Sequence, residues 1–267
     1  MLEVKGVKVI VDLHNHTPLC RHATGTPMQY LEKAIELGCK HYGFSDHAPM
    51  EFDPNYRMKF DQMQTYEAWI AEAKAAYGSQ INVLLGYEID YLEGYIDDAV
   101  LARECDYRIG SVHFLGEWGF DNPEFIGHFH NQEIDLLWER YFGAITAMAK
   151  SNLFDIVGHL DLIKIFKFLP KADVRLLAKE ALDAIKAADM VVEINTAGFR
   201  KPIGEQYPSL DLLEEIASRD IPITFGSDAH AVEHVGFKAK EAMELAKTLG
   251  YRKCAIFSNR EREMIDF

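Results

Sequence analysis

The chain is poor in cysteine, in long apolar runs and in positive charge. Its four cysteines, Cys20, Cys39, Cys105 and Cys254, form no Cys-x-x-Cys pair. That argues against a zinc ribbon, and scattered thiols point to a reducing compartment rather than a disulfide framework. No apolar run is long enough to span a bilayer, and the opening Met-Leu-Glu-Val-Lys-Gly lacks the apolar core of a signal peptide. The expectation is a cytoplasmic protein with no membrane partner. Positive charge is in deficit: 28 Lys and Arg stand against 42 Asp and Glu, a net −14. Such a surface repels a nucleic-acid backbone, so no nucleic-acid partner is expected. A small phosphorylated substrate stays possible, because salt screens distant surface carboxylates beyond about 8–10 Å. No Gly-x-Gly-x-x-Gly follows the first apolar run, which argues against a dinucleotide fold. There is no repeat, low-complexity tract or linker, and the oligomeric state is left open.

What the chain does have is histidine and alternation. Eleven histidines are many for 267 residues. A chain this long fits one α/β barrel or two small domains. Apolar runs predict strands over 7–13, 41–45, 82–87, 107–112, 155–158, 190–194, 222–226 and 254–257. Helical spacing predicts helices over 27–37, 60–77, 96–102, 132–150, 174–188, 210–217 and 237–249. Thr26-Pro27 reads as an N-cap followed by proline at the first helical position, and Gly38 as the stop. The irregular stretches 47–59, 115–131 and 196–209 are long enough to be functional loops. Strict alternation of short apolar strands with helices means a parallel sheet. An open sheet gathers its ligands at one switch point, whereas a barrel brings every strand end to one face. Polar candidates follow almost every strand here. That favours an α/β fold with a closed or nearly closed barrel, in a single domain over 1–267.

His14, His16, His47, Glu88, His113, His159, Asp228 and His230 stand at strand ends, and His22 lies in the loop after the first strand. Residues two apart on extended backbone point the same way, so His14 and His16 make half of a metal site. One zinc needs about four ligands. Nine candidates from seven segments imply two or three first-row divalent ions sharing a carboxylate. Zinc, iron and manganese all accept such donors. A positive cluster of this kind suits phosphomonoester hydrolysis. Arg200 and Lys201 follow the sixth strand and are expected to bind phosphate, Arg200 through its planar fork; Arg57 and Lys164 are further candidates. Asp161 and His234 lie just beyond ligand positions and could protonate a leaving alkoxide. His41 begins a strand, at the wrong end. His128 and His130 copy the His-x-His spacing but follow no apolar strand. Cys20 reads as a packed thiol, and Trp118, Phe120 and Phe125 as packing under a long loop.

The ordered segments His14-Asn-His16-Thr, Cys20-Arg-His22-Ala, Ser45-Asp-His47, Gly86-Tyr-Glu88, Ser111-Val-His113-Phe, Gly158-His159 and Ser227-Asp228-Ala-His230 resemble the motifs of the PHP (polymerase and histidinol phosphatase) superfamily, over residues 7–234. Tyr56-Arg57-Met58 and Asn195-Thr-Ala-Gly-Phe-Arg200-Lys resemble its histidinol-phosphate phosphatase branch. The resemblance implies a distorted (β/α)7 TIM-like barrel with three divalent metal ions at the C-terminal ends of the strands. It implies His14, His16, Glu88 and Asp228 around the first ion, His22, His47 and His230 around the second, and Glu88, His113 and His159 around the third, Glu88 bridging. It further implies hydrolysis of L-histidinol phosphate to L-histidinol and phosphate, in histidine biosynthesis. The alternatives are another phosphoesterase, acting on a nucleotide, a nucleic-acid end or a phosphotyrosine, and a metal-binding barrel without activity.

Overall fold

The computed structural model describes residues 9–267. The apolar runs become seven parallel strands that follow one another in sheet order as they do in sequence. They are β1 (Val11–Asp12), β2 (His41–Phe44), β3 (Asn82–Asp90), β4 (Tyr107–Ser111), β5 (Ile156–Val157), β6 (Val191–Asn195) and β7 (Ile223–Gly226). The last strand returns to the first. Leu13 N–H donates to the Phe225 carbonyl at 2.9 Å, His16 N–H to the Ala229 carbonyl at 3.0 Å, and Asn15 pairs with Ala229 in parallel. The sheet therefore curls into a distorted (β/α)7 barrel.

Helices α1 (Pro27–Glu36), α2 (Met63–Tyr77), α3 (Asp98–Leu101), α4 (Ile134–Lys150), α5 (Val174–Leu177), α6 (Lys179–Ala187), α7 (Leu210–Ser218) and α8 (Ala239–Thr248) connect the strands. The start of α1 is set locally. Thr26 accepts from the Gln29 amide, Gln29 reaches back to the Thr26 amide, and Pro27 opens the first turn. The helix then buries Tyr30, Leu31 and Ala34, and Gly38 at φ +78° ends it.

Tyr107 of β4 fills the barrel interior beneath the strand ends. Its hydroxyl donates to the Leu13 carbonyl at 2.6 Å. Glycines make the room: a Cβ on Gly43 would lie 2.0 Å from that hydroxyl, and one on Gly86 2.4 Å from the ring. A hairpin of β8 (Lys253–Ser258) and β9 (Glu261–Asp266) caps the opposite end. Arg260 in its turn pairs with Asp155 at 2.9 Å, just ahead of β5, and Phe257 meets the Tyr107 ring with centroids 6.1 Å apart.

Most differences from the sequence reading are at boundaries. Of the strand expected over 7–13, residues 7 and 8 lie outside the described residues, and the ladder covers only Val11–Asp12. β3 runs on to Asp90 because residues 88–90 still pair with β4. The helix expected over 174–188 breaks at Ala178. The stretch 115–131 is ordered: Phe114–Leu115 pairs with Trp118–Gly119, and a 3-10 run follows over Pro123–Asn131. β9 went unpredicted because its residues are mostly polar and exposed.

Candidate metal centre

The strand ends bring their histidines and carboxylates around Glu88, which is fully buried. One oxygen, Oε2, faces His14 Nε2 at 3.2 Å, His47 Nδ1 at 3.0 Å and His16 Nε2 at 3.6 Å. The other, Oε1, faces His159 Nε2 at 3.0 Å and His113 Nε2 at 3.7 Å and accepts from the Ser111 hydroxyl at 2.7 Å. Asp228 Oδ1 lies 3.2 Å from His16 Nε2. The His230 ring stacks on His16, centroids 3.9 Å apart, and on His22 at 4.6 Å. All nine candidate ligands thus meet in one place, with Glu88 between the two halves.

Most rings are held from behind. Nδ1 of His14 meets Glu193 at 2.8 Å, Nδ1 of His16 meets Asp46 at 3.4 Å, and Nδ1 of His113 meets Asp90 at 2.5 Å. Nδ1 of His22 meets the Cys20 carbonyl at 2.8 Å, and Nδ1 of His230 the Asp228 carbonyl at 3.0 Å. An acceptor behind Nδ1 keeps the proton there and leaves the Nε2 lone pair free to coordinate.

The atoms that face the centre crowd against one another without forming well-aligned hydrogen bonds. His14 Nε2, His16 Nε2, His47 Nδ1, Glu88 Oε2 and His230 Nε2 are all buried without a hydrogen bond. A buried unsatisfied polar atom costs about 1–3 kcal/mol. Five of them converging on one point fit a cluster of cations and little else. Several trios, such as His14, His16 and Glu88, or His16, His47 and His230, place one donor atom each within 4.8 Å of the others. The donors are imidazole and carboxylate, the set that first-row divalent ions accept.

Without cations the electrostatics are divided. Burial pushes His16 down, but Asp228, Asp46 and Glu88 outweigh it and raise it to about 9. Burial likewise opposes His113, and Asp90 lifts it to about 10. His230 is pushed down to about 4 by burial and by His16 beside it. Burial raises Glu88 and Asp228, but the surrounding histidines hold both well below the carboxylate range. The carboxylates therefore stay ionised and attract positive charge, as protons or as metal. The backbone is bent to make this geometry: Asp228 sits at φ +51° and His159 at φ +20°.

An open cavity of about 720 Å³ leads to the cluster. Arg200, Lys201 and His234 line it, as does Glu88 at its floor. Arg200 Nη2 donates to the carbonyls of Ser227 and Asp228 at 2.8 and 2.9 Å, while its buried Nη1 has no partner. The remaining cation candidates are placed differently. Arg57 borders the cavity, but the residue is 3% exposed and its guanidinium bonds Asp90 at 2.6 Å and Asp53 at 3.1 Å. Lys164 is buried against Asp161 at 2.9 Å, Glu205 at 2.7 Å and the Gln206 carbonyl at 2.8 Å. Asp161 is fully buried and accepts from the Ser209 amide at 2.8 Å. Neither Asp161 nor Lys164 lines the cavity, so the expected proton donor and phosphate contact are instead a clamp between two loops.

His128 and His130 pack against Trp118 and Phe168, and His41 bonds Asn82 at the far end of β2. Cys20 is buried near His22 and His230, and burial raises its thiol. Sequence reasoning missed the supporting carboxylates Asp46, Asp90 and Glu193. Asp90 had a visible signal, since it stands two residues from Glu88 on the same face of β3.

Fold and site together define a (β/α) barrel with a cation-binding cluster of histidines and carboxylates at its active face. The chain belongs to the PHP domain family, whose model matches residues 12–197. It is 40% identical over 248 residues to a protein of Deinococcus radiodurans named "Probable histidinol-phosphatase", an alignment covering 91% of this chain and 95% of the relative. It is 29% identical to the histidinol-phosphatase of Bacillus subtilis, covering 87% and 98%. The fold matches the solved histidinol phosphate phosphatase of Lactococcus lactis, complexed with zinc, L-histidinol and phosphate, with a TM-score of 0.82. That match covers 96% of this chain and all of the other, at 21% identity. Among the described residues no helix is long and apolar enough to cross a membrane.

Proposed function

We propose that this protein is a metal-dependent histidinol-phosphatase, hydrolysing L-histidinol phosphate to L-histidinol and phosphate. The observation that carries the reaction class is the set of orphaned donor atoms around Glu88 at the floor of an open cavity. The substrate comes from the relationship to histidinol-phosphatases across most of the chain. His14, His16, Glu88 and Asp228 would hold one ion, His22, His47 and His230 a second, and Glu88, His113 and His159 a third. Zinc, iron or manganese suits these donors. When bound, such ions neutralise phosphate charge and ready a water for attack at neutral pH.

The chain's own residues do the rest. Arg200 on the cavity wall supplies its guanidinium to a phosphate oxygen, and Lys201 adds charge at the same wall. His234 Nδ1 accepts from the His230 amide at 3.4 Å, so its proton sits on Nε2. From the cavity wall that Nε2–H can hydrogen-bond the departing alkoxide oxygen, which takes its proton from solvent. Asp121 and Glu124 also line the cavity and offer negative charge to an alcohol bearing ammonium and imidazole. A reducing cytoplasm and a place in histidine biosynthesis fit this substrate.

The test is a substrate panel with protein purified without chelator and assayed for metal. Bound divalent metal is expected, with kcat/KM for histidinol phosphate exceeding that for p-nitrophenyl phosphate and mononucleotides by about a hundredfold or more. Equal values across the panel would reduce the reading to a general phosphoesterase.

A further inference from the structure

We propose that Glu193 is a positioning residue that fixes His14 and His159 at once, and so sets the geometry of the metal centre from the strand between them. The inference rests on the cluster being a metal centre. Glu193 lies in β6, 1% exposed, and both of its oxygens are engaged. Oε1 meets His14 Nδ1 at 2.8 Å. Oε2 accepts from the His159 backbone N–H at 3.0 Å and from the Asn195 amide at 3.1 Å. Asn195 in turn donates to Asp228 Oδ2 at 3.3 Å. One carboxylate thus ties together groups that follow β1 and β5, and through Asn195 reaches the residue that follows β7.

Two further observations point to this residue. His159 is the ligand candidate with its backbone at φ +20°, a conformation that needs an outside constraint, and its amide is the group Glu193 holds. On β7, Gly226 gives Glu193 its space: a Cβ there would lie 1.9 Å from Oε1 and 2.6 Å from the His14 Cβ. Any other residue at 226 would drive the carboxylate and the imidazole apart.

The chemistry requires a carboxylate and not merely a polar side chain of that size. Glu193 faces three donors, namely the His14 Nδ1–H, the His159 N–H and the Asn195 amide. A glutamine has one acceptor oxygen and one donor nitrogen on its amide. With its oxygen toward His159 and Asn195, its NH2 faces His14 Nδ1 and forces the imidazole proton onto Nε2, where it blocks coordination. With its oxygen toward His14, its NH2 opposes two other donors. Either way Glu193→Gln keeps the volume and loses the geometry.

Wild-type and E193Q proteins are stripped of metal and titrated with zinc, with uptake followed by calorimetry and elemental analysis and folding checked by the melting of the stripped forms. Zinc affinity in E193Q is expected to fall about ten- to a hundredfold, with activity restored by excess zinc. E193Q that folds, binds zinc as tightly as wild type and merely melts earlier would overturn the positioning role. A wild type that takes up no zinc would overturn the metal-centre reading, and this inference with it. If E193Q does not fold, nitrogen NMR of zinc-loaded wild type decides: His14 protonated on Nδ1 and ligating through Nε2 supports the role, and the reverse tautomer refutes it.

Discussion

Arg57→Met separates two roles for one cation. A phosphate contact would leave stability alone and raise KM. The structure instead gives Arg57 to Asp90, at 2.6 Å, with 3% of the arginine exposed. Removing one partner of a buried pair costs roughly 3–5 kcal/mol, because the other charge is left without compensation. His113 Nδ1 still reaches Asp90 at 2.5 Å in the variant, so the lower end, about 3 kcal/mol, applies. For a chain of this size that lowers Tm by about 6–12 °C. Burial pushes Asp90 up, but Arg57 and His113 hold it well below the usual carboxylate range. A carboxylate lowered in the folded state contributes stability above its unfolded pKa, about 4, and loses it as acid approaches the folded value. The deficit should therefore be flat from about pH 5 to pH 8 and shrink only in stronger acid. Chemical denaturation across that range, alongside steady-state kinetics, gives the answer. An unchanged Tm with a tenfold higher KM would refute the reasoning and return Arg57 to the substrate.

Two other perturbations test the site itself. Arg200→Ala removes a charge-assisted contact worth about 1.5–3 kcal/mol, so kcat/KM for phosphate esters should fall by about one to two orders of magnitude; an unchanged value would mark Arg200 as a support for the Asp228 turn alone. In metal-free protein His16 and His113, raised to about 9 and about 10, hold their protons at neutral pH, so metal uptake must expel them. Apparent affinity should then rise from about pH 6 to pH 9 and fall in acid. Calorimetry in buffers of different ionisation heat would contradict this by detecting no proton release.

The candidate ligand positions were legible because all but His22 end an apolar run, and the local spacing puts them on one face of a barrel. His14 and His16 needed only strand alternation; Asp228 and His230 needed only the short run before them. The supporting carboxylates were not legible in this way. Glu193 acts on His14 from 179 residues away, and nothing near it in sequence announces that partner. Arg57, Asp161 and Lys164 were read as facing substrate because a sequence gives charge but not burial. Asp90 arrives from another element and takes up the charge of Arg57, while Asp161 and Glu205 share that of Lys164. β9 was missed for a related reason, since a polar hairpin strand carries little periodic signal.

The seam between β1 and β7 ties cluster assembly to completion of the whole barrel. Asn15 and Ser227, which bond at 3.0 Å, are 212 residues apart, and the imidazoles of His14 and His16 meet Asp228 and His230 only when that seam shuts. A nascent chain emerging from the ribosome holds the first pair long before the second exists. Cation capture thus becomes a late event, and a fragment that stops short of the last strand would carry the opening histidines without a place to bind.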